Sequence, residues 1–142
     1  MKKKIAIILP YKEIFSQNYA GAASIWLKDY DAISNLSNQT LIYGNLDKNL
    51  KPITKNFRNI KITNTTFSKT KQYINFFYND YLKNKFEIIE IHNRPEYLNF
   101  LINKNIDSKL IFFFHNNPLD IRGSRTVKER LNILEKTHKV FL

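Results

Sequence analysis

Lys4-Ile5-Ala6-Ile7-Ile8-Leu9-Pro10 is an apolar run with no polar break until a proline stops it. A strand with one wet face alternates, whereas an unbroken run suits a parallel strand covered on both faces. The run is far short of the roughly 20 apolar residues that span a bilayer. The lysines before it imitate a signal peptide, but Pro10-Tyr11-Lys12-Glu13 offers no small-residue cleavage site. Residues 4–9 therefore read as the buried first strand of a cytoplasmic protein. The N-x-S/T triplets at Asn35, Asn38 and Asn64 then carry no glycosylation meaning.

Working outward, Gly21-Ala22-Ala23-Ser24 opens a helical pattern with Ala22, Trp26, Tyr30 and Ile33 on one face. Thr40-Leu41-Ile42-Tyr43 is a short strand ended by Gly44, residues 47–57 read as loop around Pro52, and 59–63 form a weaker strand. A second helix spans 68–83 with Ser68 as N-cap. Residues 86–92 are a strand, and Pro95 begins an amphipathic helix through Tyr97, Leu98, Leu101 and Ile102. Leu110-Ile111-Phe112-Phe113-Phe114 is the strongest strand, residues 124–136 a helix with Val127, Leu131 and Leu134 on one side, and 139–142 a last strand. The order β-α-β-β-α-β-α-β-α-β predicts one α/β domain over residues 1–142: Rossmann-like, doubly wound, with a mainly parallel sheet of about six strands.

The 142 residues carry 23 Lys and Arg against 12 Asp and Glu, for a net charge of +11. With 43% hydrophobic residues and 14% aromatics, the chain is no disordered polycation. The absence of cysteine excludes a disulfide scaffold and thiolate-bound metal. The charge points to an anionic partner or to compositional drift, since Lys, Asn and Ile are abundant together. Lys69, Lys71, Lys83 and Lys85 among the aromatics of the second helix fit a lipid-headgroup contact. They fit better a wide core-facing stripe flanked by solvated lysines.

In an open parallel sheet, ligands gather outside the carboxyl ends of the strands. The entry Gly21-Ala22-Ala23 offers free N–H groups and a helix dipole to a phosphate, or small residues for tight packing. It is neither a P-loop nor a dinucleotide fingerprint. His115, after three phenylalanines, can hydrogen-bond a ligand or serve as a proton donor. In His92-Asn93-Arg94-Pro95-Glu96, Arg94 can bind a carboxylate or phosphate, or pair with Glu96. Asp29-Tyr30-Asp31 spells a metal-diphosphate signature, but inside a helix its two carboxylates diverge. No metal site is expected.

The succession Lys4 to Leu9, Gly21-Ala22-Ala23-Ser24-Ile25-Trp26, Glu90-Ile91-His92-Asn93-Arg94-Pro95 and Phe113-Phe114-His115-Asn116-Asn117-Pro118 resembles the N-terminal half of GT-B glycosyltransferases of family 4. Arg122-Gly123-Ser124 and the closing Lys139-Val140-Phe141-Leu142 look like the same family. The resemblance implies a retaining, metal-independent transfer from a nucleotide-sugar, which is a donor substrate and not a resident cofactor. The acceptor is a glycan or lipid-linked sugar, as in lipopolysaccharide or other cell-surface polysaccharide synthesis. It implies donor-phosphate contacts at Gly21, Ala22 and Ala23, and a catalytic-site contact to the transferred sugar at His115. Acceptor contacts fall on His92, Asn93, Arg94, Glu96, Asn116, Asn117 and Arg122. The family's usual Gly-Gly is Gly21-Ala22 here. Its C-terminal donor domain has no counterpart, so the expectation is a half-site without turnover of its own, completed by a C-terminal half that could be a separate chain. The expected place is the cytoplasm, peripheral on the inner face of an anionic membrane. The rival reading is a non-catalytic basic module for nucleic acid or anionic membrane; no nucleic-acid partner is expected on the preferred one.

Overall fold

The computed structural model describes residues 2–63 and 68–142, so the triplet at Asn64 lies outside it. The elements are β1 (Ile5–Ile8), α1 (Ala22–Ile33), β2 (Thr40–Gly44), β3 (Phe57–Asn59), α2 (Lys69–Asn84), β4 (Ile88–His92), α3 (Pro95–Asn103), β5 (Lys109–Phe113), α4 (Val127–Lys136) and β6 (Lys139–Phe141). The strands form one sheet in the order β3-β2-β1-β4-β5-β6, parallel at every pairing. β1 is central and completely covered, as its unbroken apolar run requires. The fold is Rossmann-like α/β, as the alternation of elements predicts.

Because side chains alternate across a strand, the two faces of β1 feed two cores. Ile5, Ile7 and Leu9 pack with Ile42 of β2 and with Ala23 and Leu27 of α1. Ala6 and Ile8 join a larger core filled by Tyr73, Phe77 and Tyr81 of α2, Tyr97, Leu98 and Leu101 of α3, and Ile133 of α4. The stripe of α2 thus faces the core, and Lys69, Lys71, Lys83 and Lys85 point to solvent. Ser68 caps the helix by accepting the Lys71 N–H, as its position predicts. Asp80, buried on the same helix, accepts from the Tyr43 hydroxyl and pairs with Arg58 at 3.0 Å.

Three local readings need correction. The third strand is Phe57–Asn59 rather than 59–63, because Phe57 and Arg58 pair with Ile42 and Tyr43 while Ile60 is buried just beyond the strand. The inward face of α1 is Ala23 and Leu27, not Ala22, Trp26 and Ile33; Ile33 is 83% exposed. Ile25, Trp26 and Leu27 are consecutive, so periodicity alone could not choose among faces, and the anchoring of Ser24 sets the rotation. Val127, Leu131 and Leu134 of α4 are likewise exposed, and Ile133 is its buried residue. Helix α4 packs beside the edge strand β6, where the sheet ends, and the Thr126–Glu129 capping box fixes its start.

These placements predict contrasting substitution costs. Phe77→Ala should lower the stability read from urea unfolding by about 3–5 kcal/mol. Leu131→Ala, at a solvent-facing position, should stay within about 0.5 kcal/mol of the parent.

Candidate functional site

The strand order reverses direction between β1 and β4. After β1 the chain turns to α1 over one face, and after β4 it turns to α3 over the other. The diverging loops leave a crevice, the position where open α/β sheets bind ligands. It has a volume of about 390 Å³ and is lined by Pro10, Lys12 and Glu13 after β1, Asn93 and Arg94 after β4, and Asn116, Asp120, Ile121, Arg122 and Arg125 after β5.

Four cations face two carboxylates here, and none of the four is in an ion pair among the described residues. Arg94 does not pair with Glu96. Its guanidinium lies 5.6 Å from the centroid of the Tyr11 ring, and its Nε is buried without a hydrogen-bond partner. Glu13 is engaged elsewhere. Its carboxylate accepts from the Ser24 N–H at 3.1 Å and the Ser24 hydroxyl at 2.7 Å, at the N-terminus of α1. A Cβ on Gly21 would stand 2.7 Å from both carboxylate oxygens, so glycine there is what lets the carboxylate approach. The anion position at this helix start is held by the protein's own side chain.

Behind the crevice lies a file of polar groups. Glu90 and His92, two apart on β4, share one face of the sheet. His92 is fully buried, and its Nδ1 is 2.7 Å from His115 Nε2, while its Nε2 is 3.8 Å from Glu90 Oε2. The rings of His92 and His115 stack at 4.9 Å, and Trp26 of α1 covers them at 5.7 and 6.1 Å. Asn93 ties the loops together. Its backbone adopts φ 55°, a left-handed conformation that asparagine tolerates, and its Oδ1 accepts the His115 N–H at 2.8 Å. Burial pushes the pKa of His92 down, with Glu90 opposing. Burial and then the neighbouring His92 push His115 down to about 4, so both imidazoles are neutral at pH 7.

The sequence candidates therefore divide. Asn93, Arg94, Asn116 and Arg122 converge on the crevice. His115 is half-buried, with its ring 6.1 Å from that of Trp26, which lies one turn along α1 from Ala22 and Ala23. His92 corrects the sequence reading: it is buried behind His115 and out of reach of a ligand, because its ring completes the file. Glu96 lies in the first turn of α3, and Asn117 caps the short 3₁₀ turn Pro118–Asp120 by accepting the Leu119 N–H; neither lines the crevice. Sequence reasoning missed Lys12, Glu13, Arg125, Trp26 and Glu90. Of these, Glu90 had a visible signal: a carboxylate two residues before a histidine inside an apolar strand.

Comparison with known proteins agrees on architecture. No protein-family model matches the sequence, and no curated protein matches it. Among solved structures, sucrose-phosphate synthase from Thermosynechococcus elongatus is similar over 94% of this chain, with a TM-score of 0.57 at 10% identity. The chain spans 39% of the length of that neighbour.

The depressed imidazoles make stability fall with acid. The unfolded chain takes up a proton near pH 6.5 that folded His115 refuses until about pH 4. Urea midpoints should therefore fall from pH 7 to pH 5, and His115→Gln should flatten that slope, leaving the part that buried His92 contributes in the same direction.

Proposed function

We propose that this chain is the N-terminal, acceptor-side domain of a GT-B glycosyltransferase of family 4. In this reading it serves a retaining, metal-independent transfer of a sugar from a nucleotide-sugar to a glycan or lipid-linked acceptor, in synthesis of lipopolysaccharide or another cell-surface polysaccharide. The observation that carries the reading is the crevice at the β1–β4 switch point, where four cations outside any ion pair surround polar loop residues and Asn93 of the lining holds the His115 backbone N–H. The Rossmann-like fold, shared with part of a sucrose-phosphate synthase, supports it.

Each residue then has a task. Asn93, Arg94, Asn116 and Arg122 hold the acceptor, with Lys12 and Arg125 adding charge-assisted contacts to anionic groups on it. His115 hydrogen-bonds the transferred sugar. The turn at Gly21, Ala22 and Ala23 receives the donor diphosphate once Glu13 gives up its place. The nucleotide itself belongs to a second lobe, on the same or another chain. Net positive charge favours a peripheral position on an anionic membrane at its cytoplasmic side; no helix among the described residues is long and apolar enough to cross one.

Calorimetric titration with neutral and anionic oligosaccharides, nucleoside diphosphates and duplex DNA tests this. Selective glycan binding is expected, weakened about tenfold by Arg94→Ala or Arg122→Ala for anionic glycans. Glu13→Ala should tighten nucleoside diphosphate binding by freeing the helix start. DNA binding that collapses with salt, without glycan selectivity, would replace the reading with a basic nucleic-acid module.

A further inference from the structure

Two buried atoms in the wall behind the crevice have no hydrogen-bond partner, Glu90 Oε2 and His92 Nε2. They are 3.8 Å apart. A bare imidazole lone pair opposite a carboxylate oxygen would set two buried acceptors against each other. A neutral imidazole carries a single N–H, and only with that hydrogen on Nε2 does the ring turn a donor rather than a lone pair toward the carboxylate. His92 therefore carries its hydrogen on Nε2. Its Nδ1 is then a lone pair, 2.7 Å from His115 Nε2. Two nitrogens that close need one proton between them, and only His115 can supply it. One nitrogen is left over. His115 Nδ1 has no partner among the described residues, and unlike its neighbours it is not sealed from solvent.

We infer that Glu90 and His92 are positioning residues that fix His115 as a hydrogen-bond acceptor at Nδ1, so that what this ring takes from a ligand is an O–H or N–H group, such as a sugar hydroxyl, and not an anionic oxygen. The proton positions follow from the file alone. The choice of a hydroxyl rests on the reading of the crevice as a sugar site. The rim then sorts a ligand by polarity: hydroxyl donors at His115, anionic oxygens at Arg94 and Arg122.

Long-range proton–nitrogen NMR of histidine-labelled chain at pH 7 reads which ring nitrogen bears each hydrogen. The coupling across the His92–His115 contact reads which ring donates. The expected result is hydrogen on Nε2 of both rings, with His115 the donor. Hydrogen on His92 Nδ1 or on His115 Nδ1 would overturn the inference. Glu90→Met should move His115 toward an even mixture of tautomers, and Glu90→Asp should restore the parent pattern. Unchanged tautomers in Glu90→Met would remove the positioning role. Should that variant fail to fold, the parent spectrum still decides the proton positions and Glu90→Asp still reads the role, because a tautomer shift despite its carboxylate would overturn it. Absence of glycan binding would remove the sugar-site reading and leave the spectrum as it is, so the two failures are distinguishable.

Discussion

β1 and β4 are hydrogen-bonded neighbours from Ile5–Ile88 to Ile8–Ile91, yet the chain leaves them toward opposite faces of the sheet. That divergence is forced. Right-handed crossovers put α1 on one face, because β2 lies to one side of β1, and α3 on the other, because β5 lies to the opposite side of β4. No helix can then cover the carboxyl ends where the two strands meet. Polar residues in the loops at that point are exposed to a common space, whereas equal residues elsewhere on the rim would be separated by packed helices. The meeting of Lys12, Asn93 and Arg94 is a consequence of strand order before it is a matter of side-chain chemistry.

The crevice and the wall behind it use opposite electrostatic strategies. In the crevice, Lys12, Arg94, Arg122 and Arg125 form no ion pair, and Lys12, Arg122 and Arg125 are open to solvent. In the wall, burial makes charge expensive, and the imidazoles of His92 and His115 lose their protons instead. Stacking on Phe113 and the cover of Trp26 seal His92 from solvent, while His115 stays half-buried. A buried imidazole still needs its polar atoms satisfied, and the short contact between the two rings does this for one nitrogen of each. A single substitution in the wall therefore disturbs more than one ring.

The architecture was legible because it rests on patterns that survive in isolation. Unbroken apolar strands, the Ser68 cap and Pro95 at a helix start each have one local reading, and they fix element order. What failed was rotation. Helix α1 has apolar residues at 25, 26 and 27, and the face that packs is chosen by Glu13 gripping Ser24, a contact across eleven residues. Helix α4 shows an apolar stripe that periodicity assigns to a core, but a stripe reports what a helix could bury and says nothing of whether a surface lies opposite. At the crevice, Arg94 was legible from its place after a strand, whereas Asn116 and Arg122 came with the family resemblance. Lys12 and Arg125 were not legible, because one lysine or arginine in a basic chain is unremarkable until the fold gathers it with others.

Glu13 carries the sharpest consequence of that gathering. A helix start with free N–H groups attracts whatever anion is nearest, and here the nearest is covalently tethered, held by two donors of Ser24. A phosphate arriving at Gly21 meets a filled position, and a carboxylate would repel it at contact distance. Displacement is favourable only if the released carboxylate finds a cation, and Lys12 beside it and Arg94 across the crevice are both unpaired. The turn at Gly21 and the crevice are thus linked through one side chain.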